Sequence, residues 1–336
     1  MYDKQVAQAP TSLDMKDKSM KTTLQTTLFA AVAAAMLAGS AQAAAPMVKT
    51  PAPGFYRIMV GDIEVTPIND GTVDLPMDQL LQQKAELTRG TLEKHFMKVP
   101  TETSDNAFLI NTGSKLVLVD SGAGALFGPT LGKFINNLKA AGYQPEQIDE
   151  IYITHMHGDH VGGLASNGQR TFPNAVVRAG KGDADYWLNK ANMDKAPADK
   201  KGGFQGAMAS INPYVQAGKF KTIDAAGPLV PGVSALPEPG HTPGHTTYVV
   251  ESGGQKLVLI GDLIHVASVQ FDNPQVTIGF DSDEKAAYAS RKQVFDDAAK
   301  NGYLVGGAHL QFPGLGHISS QGKGYRWIPV NYTQMR

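Results

Sequence analysis

The 336-residue chain carries 30 Lys and Arg against 31 Asp and Glu, so its formal net charge is −1 with His taken neutral. That length supports a substantial core in one large or two small domains, and the charge balance leaves no electrostatic footprint for nucleic acid or an anionic membrane. The absence of cysteine excludes disulfides, thiolate nucleophiles and Cys-based metal sites.

The first segment reads as a targeting signal. Lys16, Lys18 and Lys21 precede an apolar run, Leu28–Leu37, and Ala41-Gln42-Ala43 follows as an A-x-A cleavage site. The run is shorter than the roughly 20 apolar residues a bilayer span needs. The expectation is a secretory signal starting at Met20, behind an upstream extension over residues 1–19. Cleavage would leave residues 44–336 as one exported domain, periplasmic or secreted, with no membrane segment.

After an Ala/Pro-rich lead-in over residues 44–54, β-forming clusters at Tyr56–Val60 and Ile63–Ile68 flank Gly61-Asp62, a hairpin signal. A second pair, Ala107–Asn111 and Lys115–Val119, flanks Thr112-Gly113-Ser114. Helical spacing predicts a short helix from about Leu87 to Met97, and another over Thr130–Ala141 that stops at Gly142. Glu150–Ile153 is a short buried strand running into His155. Further strands are predicted at Ala175–Arg178, Thr246–Glu251, Lys256–Ile260 and Tyr303–Val305. A helix is expected over about 283–300, capped by Asp281 or Ser282 and closed at Asn301-Gly302. Runs of strands interleaved with helices predict an α+β architecture, an αββα sandwich.

The chemistry is concentrated in Thr154-His155-Met156-His157-Gly158-Asp159-His160. In extended backbone His155 and His157 project to the same side. Gly158 permits a tight turn that aims Asp159 and His160 at a second position nearby. Imidazole and carboxylate suit zinc and related divalent cations. One cluster cannot complete two coordination shells, so further ligands are expected downstream. His241 lies in Gly240-His241-Thr242-Pro243-Gly244-His245, Asp262 ends an apolar strand where a carboxylate needs a partner, and His309 follows the last strand.

The order H-x-H-x-D-H, a distant G-H-T-P-G-H, G-D and a late His resembles the metallo-β-lactamase superfamily. Asn111–Asp120, Phe127–Gly132 and Gly322–Trp327 are similar to the branch of methyl parathion hydrolase and its lactone- and aryl-ester-hydrolysing relatives. The resemblance implies that His155, His157 and His241 hold one divalent ion while Asp159, His160 and His309 hold a second. Asp262 would bridge them, and Asp159 could also orient or relay a proton. Zn2+ is the expected metal, with Mn2+, Co2+ or Fe2+ as alternatives. Two ions sharing a hydroxide would make the reaction a hydrolysis. His245 is expected in a supporting role, His95 and His317 in none. A homodimer is implied by the resemblance alone.

Phe127 and Trp187 match aromatic pocket positions of that branch. Leu80, His265, Ile278 and Phe280 depart from its organophosphate-degrading pattern, and the segment Asp199–Phe204 is a residue shorter with Gly203 in place of an aromatic. The bulk of His265, Ile278 and Phe280 favours planar carbonyl substrates over a tetrahedral triester. The expected activity is therefore lactone or aryl-ester hydrolysis, dihydrocoumarin being representative, with weak phosphotriesterase activity. A methyl parathion-type organophosphate hydrolase and a mononuclear-iron persulfide dioxygenase stay open as alternatives, as does a non-catalytic metal-binding protein.

Overall fold

The computed structural model describes residues 45–332. The predicted signal and upstream extension lie outside the described residues, as do the last four. From Ala52 onward the chain makes one compact unit. Residues 45–51 carry no regular secondary structure. Among the described residues no helix is long and apolar enough to cross a membrane.

Two seven-stranded sheets form the centre. The first contains β1 (Ile58–Val60), β2 (Ile63–Leu75), β3 (Thr101–Asn111), β4 (Leu116–Val119), β5 (Glu150–Ile153), β6 (Val176–Gly180) and β7 (Phe220–Ile223), paired in that order. The second runs β8 (Gly227–Val230), β9 (Val233–Pro237), β10 (Thr246–Ser252), β11 (Gln255–Leu259), β12 (Leu304–Gly306), β13 (Leu315–Gln321) and β14 (Gly324–Pro329). β4 to β7 are parallel to one another, as are β11 and β12.

The period-two pattern of the central strands fixes the layers. In β4, Leu116 and Leu118 join the cluster under the outer helices, while Val117 and Val119 join the cluster between the sheets. In β11, Leu257 and Leu259 point between the sheets and Val258 points outward to the helix α6 (Glu284–Asn301). Strands buried on both faces read as continuous apolar runs, and here they do. The outer face of the first sheet is covered by α2 (Phe134–Ala140), through Phe134 and Leu138, and by α5 (Lys201–Gln216), through Ala207, Ile211 and Tyr214. The result is the expected αββα sandwich.

Both predicted hairpins form, with Val60 opposite Ile63 and Asn111 opposite Leu116. Several boundaries differ. β2 extends to Leu75 and β3 begins at Thr101, so their pairing is twice as long as the apolar clusters implied. The first predicted helix is α1 (Ala85–Lys94), and the second begins at Phe134 rather than Thr130. Gly132, at φ +79, cannot continue a right-handed helix backward, and Asp70 fastens that turn. Asp283, not Asp281 or Ser282, caps α6 by accepting from Ala286 N at 2.9 Å, and left-handed Gly302 closes it. Between α2 and α5 in sequence lie the short helices α3 (Gly158–Val161) and α4 (Lys181–Trp187).

Candidate metal centre

Every predicted ligand sits where a strand ends. His155–His160 follow β5, His241 lies in the β9–β10 connection, Gly261-Asp262 follow β11 and His309 follows β12. Because these strands lie side by side in the two sheets, four segments distant in sequence converge.

Three imidazole nitrogens meet first. His155 Nε2 is 2.9 Å from His157 Nδ1 and 3.2 Å from His241 Nε2, which in turn is 3.1 Å from His157 Nδ1. Burial and the surrounding imidazoles hold His155 and His157 well below the ordinary histidine range, so both are neutral. Three such nitrogens cannot satisfy one another with a hydrogen bond along every edge. Their spacing instead matches the edges of a coordination shell, which for bonds of about 2.1 Å are about 3.0–3.4 Å long.

Asp262 joins this group to the next. Its Oδ2 lies 3.5 Å from His155 Nε2, 3.3 Å from His241 Nε2 and 3.1 Å from His309 Nε2, and its Oδ1 lies 3.2 Å from His160 Nε2. Asp159 Oδ2 is 3.7 Å from His160 Nε2 and 3.6 Å from His309 Nε2. Oδ1 of Asp262 and Nε2 of His160 are buried without a hydrogen-bond partner, a costly state that a cation relieves. Burial raises the Asp262 carboxyl, but the imidazoles of His160 and His309 outweigh it and hold the group well below the usual carboxylate range. The donor sets His155/His157/His241/Asp262 and Asp159/His160/His309 fit divalent metal and would hold it, with Asp262 lying between the two sets.

Supporting carboxylates and carbonyls orient the ligand rings. His241 Nδ1 donates to Asp281 Oδ1 at 2.8 Å, His160 Nδ1 to Asp120 Oδ2 at 2.8 Å, and His309 Nδ1 to Ser104 O at 2.9 Å. Each bond places the proton on Nδ1 and leaves Nε2 for a metal. Asp120 also accepts from Thr154 N and Thr154 Oγ1, both at 2.8 Å. Asp183, at the start of α4 and fully buried, accepts from Met156 N at 2.7 Å and Gly244 N at 2.6 Å. It thereby staples the loop of His155 and His157 to the loop of His241. His245 Nε2 accepts from Asp262 N at 3.1 Å, and burial together with His241 pushes His245 down to about 3, so it stays neutral. Gly261 must be glycine: its φ is +49, and a Cβ would meet His245 Nε2 at 2.6 Å.

Sequence reasoning missed Asp120, Asp183 and Asp281. Asp120 carried a signal, since it ends an apolar strand as Asp262 does. Asp281 carries only the signature of a helix cap, and Asp183 has no local signature. His95 and His317 bond only to the backbone carbonyls of Thr91 and Gly302, away from the centre.

The predicted pocket residues fall into two groups. Phe127 is half exposed and packs on Gly158, between two ligands. Trp187 meets the His157 ring edge-on, with centroids 5.3 Å apart. On the opposite side His265 sits 5.1 Å from the His241 ring, 5.0 Å from His309 and 6.1 Å from Phe280. Its Nε2 is 3.1 Å from Asp262 Oδ2 without the alignment of a hydrogen bond. Phe280 is exposed at the rim, whereas Ile278 is wholly buried in an apolar cluster against which Leu80 packs. Leu80 O accepts from Gly279 N at 2.8 Å. Leu80 and Ile278 thus anchor the chain next to Phe280, and Ile278 has no surface of its own to offer a substrate.

The profile of the metallo-beta-lactamase superfamily matches residues 100–309, and the chain belongs to that family. It is 27% identical over 240 residues to an N-acyl homoserine lactonase of Bacillus sp, covering 68% of this chain and 83% of that protein. Among solved structures it is similar to hydrolase AbOPH of the beta lactamase superfamily, with a TM-score of 0.80 and 38% identity over 85% of this chain and 100% of that one. It is also similar to AidC, a dizinc quorum-quenching lactonase in complex with a product, with a TM-score of 0.77 and 27% identity over 84% and 99%. The chain is thus a metal-dependent hydrolase with lactonase homologues.

Proposed function

We propose that this protein is an exported dizinc lactonase and aryl esterase, acting on planar carbonyl substrates of the dihydrocoumarin type, and that it works as a homodimer. The observation that carries the substrate reading is the wall made by His265 and Phe280 beside the Asp262 carboxylate, with Leu80 and Ile278 anchoring the chain next to Phe280. Both that wall and the Phe127–Trp187 pair adjoin the ligand segments, and in this reading a flat ester sits between them. A tetrahedral phosphotriester has substituents on every side and meets the wall. The lactonase homologues support the lactone part of this reading, and separate donor groups at His155/His157/His241 and Asp159/His160/His309, rather than a single one, speak against a mononuclear-iron dioxygenase.

Bound ions would supply a nucleophilic water at neutral pH and polarise the scissile carbonyl. His155, His157, His241, Asp262, Asp159, His160 and His309 would hold them. The chain's own residues do the rest. Asp281, Asp120 and Ser104 O fix the ligand tautomers. Phe127 and Trp187 cover the apolar part of the substrate and exclude water. Asp159, the most solvent-accessible carboxylate of the centre, is placed to hold the proton that passes to the departing oxygen.

The test compares kcat/KM for dihydrocoumarin, phenyl acetate, an N-acyl homoserine lactone and methyl parathion on the mature chain. Lactone turnover far above that of methyl parathion is the expected result. Methyl parathion as the best substrate would overturn the substrate reading and leave the metal assignment standing. Amino-terminal sequencing of the periplasmic protein tests export, with residue 44 expected first.

A further inference from the structure

We propose that Asp70 is a positioning residue for substrate selection, acting through the loop that carries Leu126 and Phe127. The inference rests on the ester and lactone reading above and names a residue that shapes its pocket. Asp70 lies at a bulge in β2, where pairing with β3 shifts register between Asn69 and Gly71, and its side chain is fully buried.

Its carboxylate ties together both stems of one loop. Oδ2 accepts from Ala123 N at 3.0 Å on the outgoing stem and from Gly132 N at 2.8 Å on the returning stem. Oδ1 accepts from Phe134 N at 2.7 Å, and the Asp70 carbonyl accepts from Lys133 N at 3.0 Å. Between the stems, residues 125–130 are exposed and make no regular structure. Leu126 and Phe127 fold back onto Gly158, between His157 and Asp159, and Leu126 also reaches Gly206 of α5.

The outgoing stem is fastened to the metal centre as well. Ser121 N and Ser121 Oγ both donate to His160 O at 2.9 Å, and Gly163 N donates to Gly122 O at 2.9 Å. One buried carboxylate and one ligand carbonyl thus hold the loop in the frame of the metals. Phe127 is then a preformed wall rather than a lid, and a rigid wall discriminates by leaving-group size because it cannot retreat or follow. A loop freed from Asp70 would keep Phe127 but lose its place.

The experiment uses Asp70→Asn, Phe127→Ala and the double variant on the metal-loaded enzyme, with dihydrocoumarin and the small γ-butyrolactone as substrates. Asp70→Asn is expected to raise KM for dihydrocoumarin about tenfold with kcat changed less than about threefold, while γ-butyrolactone stays within about twofold. In the Phe127→Ala background the Asp70→Asn effect on dihydrocoumarin should vanish, because both changes remove the same wall. Equal loss on both substrates through kcat, or additive effects, would overturn the proposal in favour of a general role in folding. Should Asp70→Asn fail to fold, hydrogen exchange on the unaltered chain decides. The amides of Ala123, Gly132 and Phe134 should exchange far more slowly than those of residues 125–128 and Thr130, and equal exchange would overturn the proposal. If the unaltered enzyme opens neither lactone, the functional reading fails, while the exchange result still judges Asp70.

Discussion

In the proposed two-ion centre, replacing Asp281 with Ala should weaken one ion and spare the other. The 2.8 Å bond from His241 Nδ1 to Asp281 is buried and joins an imidazole to a carboxylate whose group lies below its usual range, burial being outweighed by His241. A charge-assisted hydrogen bond of this kind contributes about 1.5–3 kcal/mol. Its loss also frees His241 to carry its proton on Nε2, the atom needed for metal. Supporting partners of metal ligands cost about 10–100-fold in affinity when removed, or about 1.4–2.7 kcal/mol, which agrees with the value of the bond. The ion held by His155, His157 and His241 should therefore bind about 10–100-fold more weakly. The other ion should bind nearly as before, because His160 and His309 take their orientation from Asp120 and Ser104 O instead. Competition titration with a chromophoric chelator reads both constants, and the variant should show two separated steps. Affinities that fall together, or an unchanged first site, would refute the reasoning.

Asp120→Asn should do on the second-ion side what Asp281→Ala does on the first, since His160 loses its charged partner; the same titration reads the weakened second step. Gly261→Ala should destabilise the chain by at least about 1–2 kcal/mol for the left-handed backbone alone and displace Asp262 by collision with His245, lowering both the denaturant midpoint and the metal count. Burial pushes the Asp183 carboxyl from its ordinary 3.8 up to about 6, against its hydrogen bonds. A raised folded value means a stability contribution that is full below about pH 4 and lost as pH rises through about 6. Asp183→Asn should flatten that part of the stability–pH curve of the metal-free protein, measured by urea denaturation across about pH 4–7.

What was legible in the sequence was what is local. His155, His157, Asp159 and His160 declared themselves by spacing within one turn, and the hairpins at Gly61-Asp62 and Gly113 by their turn residues. The sandwich followed from apolar strands that bury both faces. Helix α5 was not legible because Gly202, Gly203, Gly206 and Pro213 depress its intrinsic propensity. Its Phe204, Ala207, Ile211 and Tyr214 recur at helical spacing and bury one stripe, and that packing overrides the propensity. Tyr303–Val305 is not the last strand: β13 and β14 follow it and close an edge of the second sheet, and Gly316, Gly322 and Gly324 interrupt the pattern that would mark them. Asp183 and Asp281 act across 27 and 40 residues of sequence, so only the folded chain brings them to the ligands they orient.

A metal count on the reconstituted protein decides whether the centre is dinuclear. Two divalent ions per chain are expected in the unaltered protein and no more than one in Asp262→Asn, since the Asp262 carboxylate lies between both donor sets. One ion per chain in the unaltered protein would contradict the dinuclear centre and the hydrolytic reading built on it.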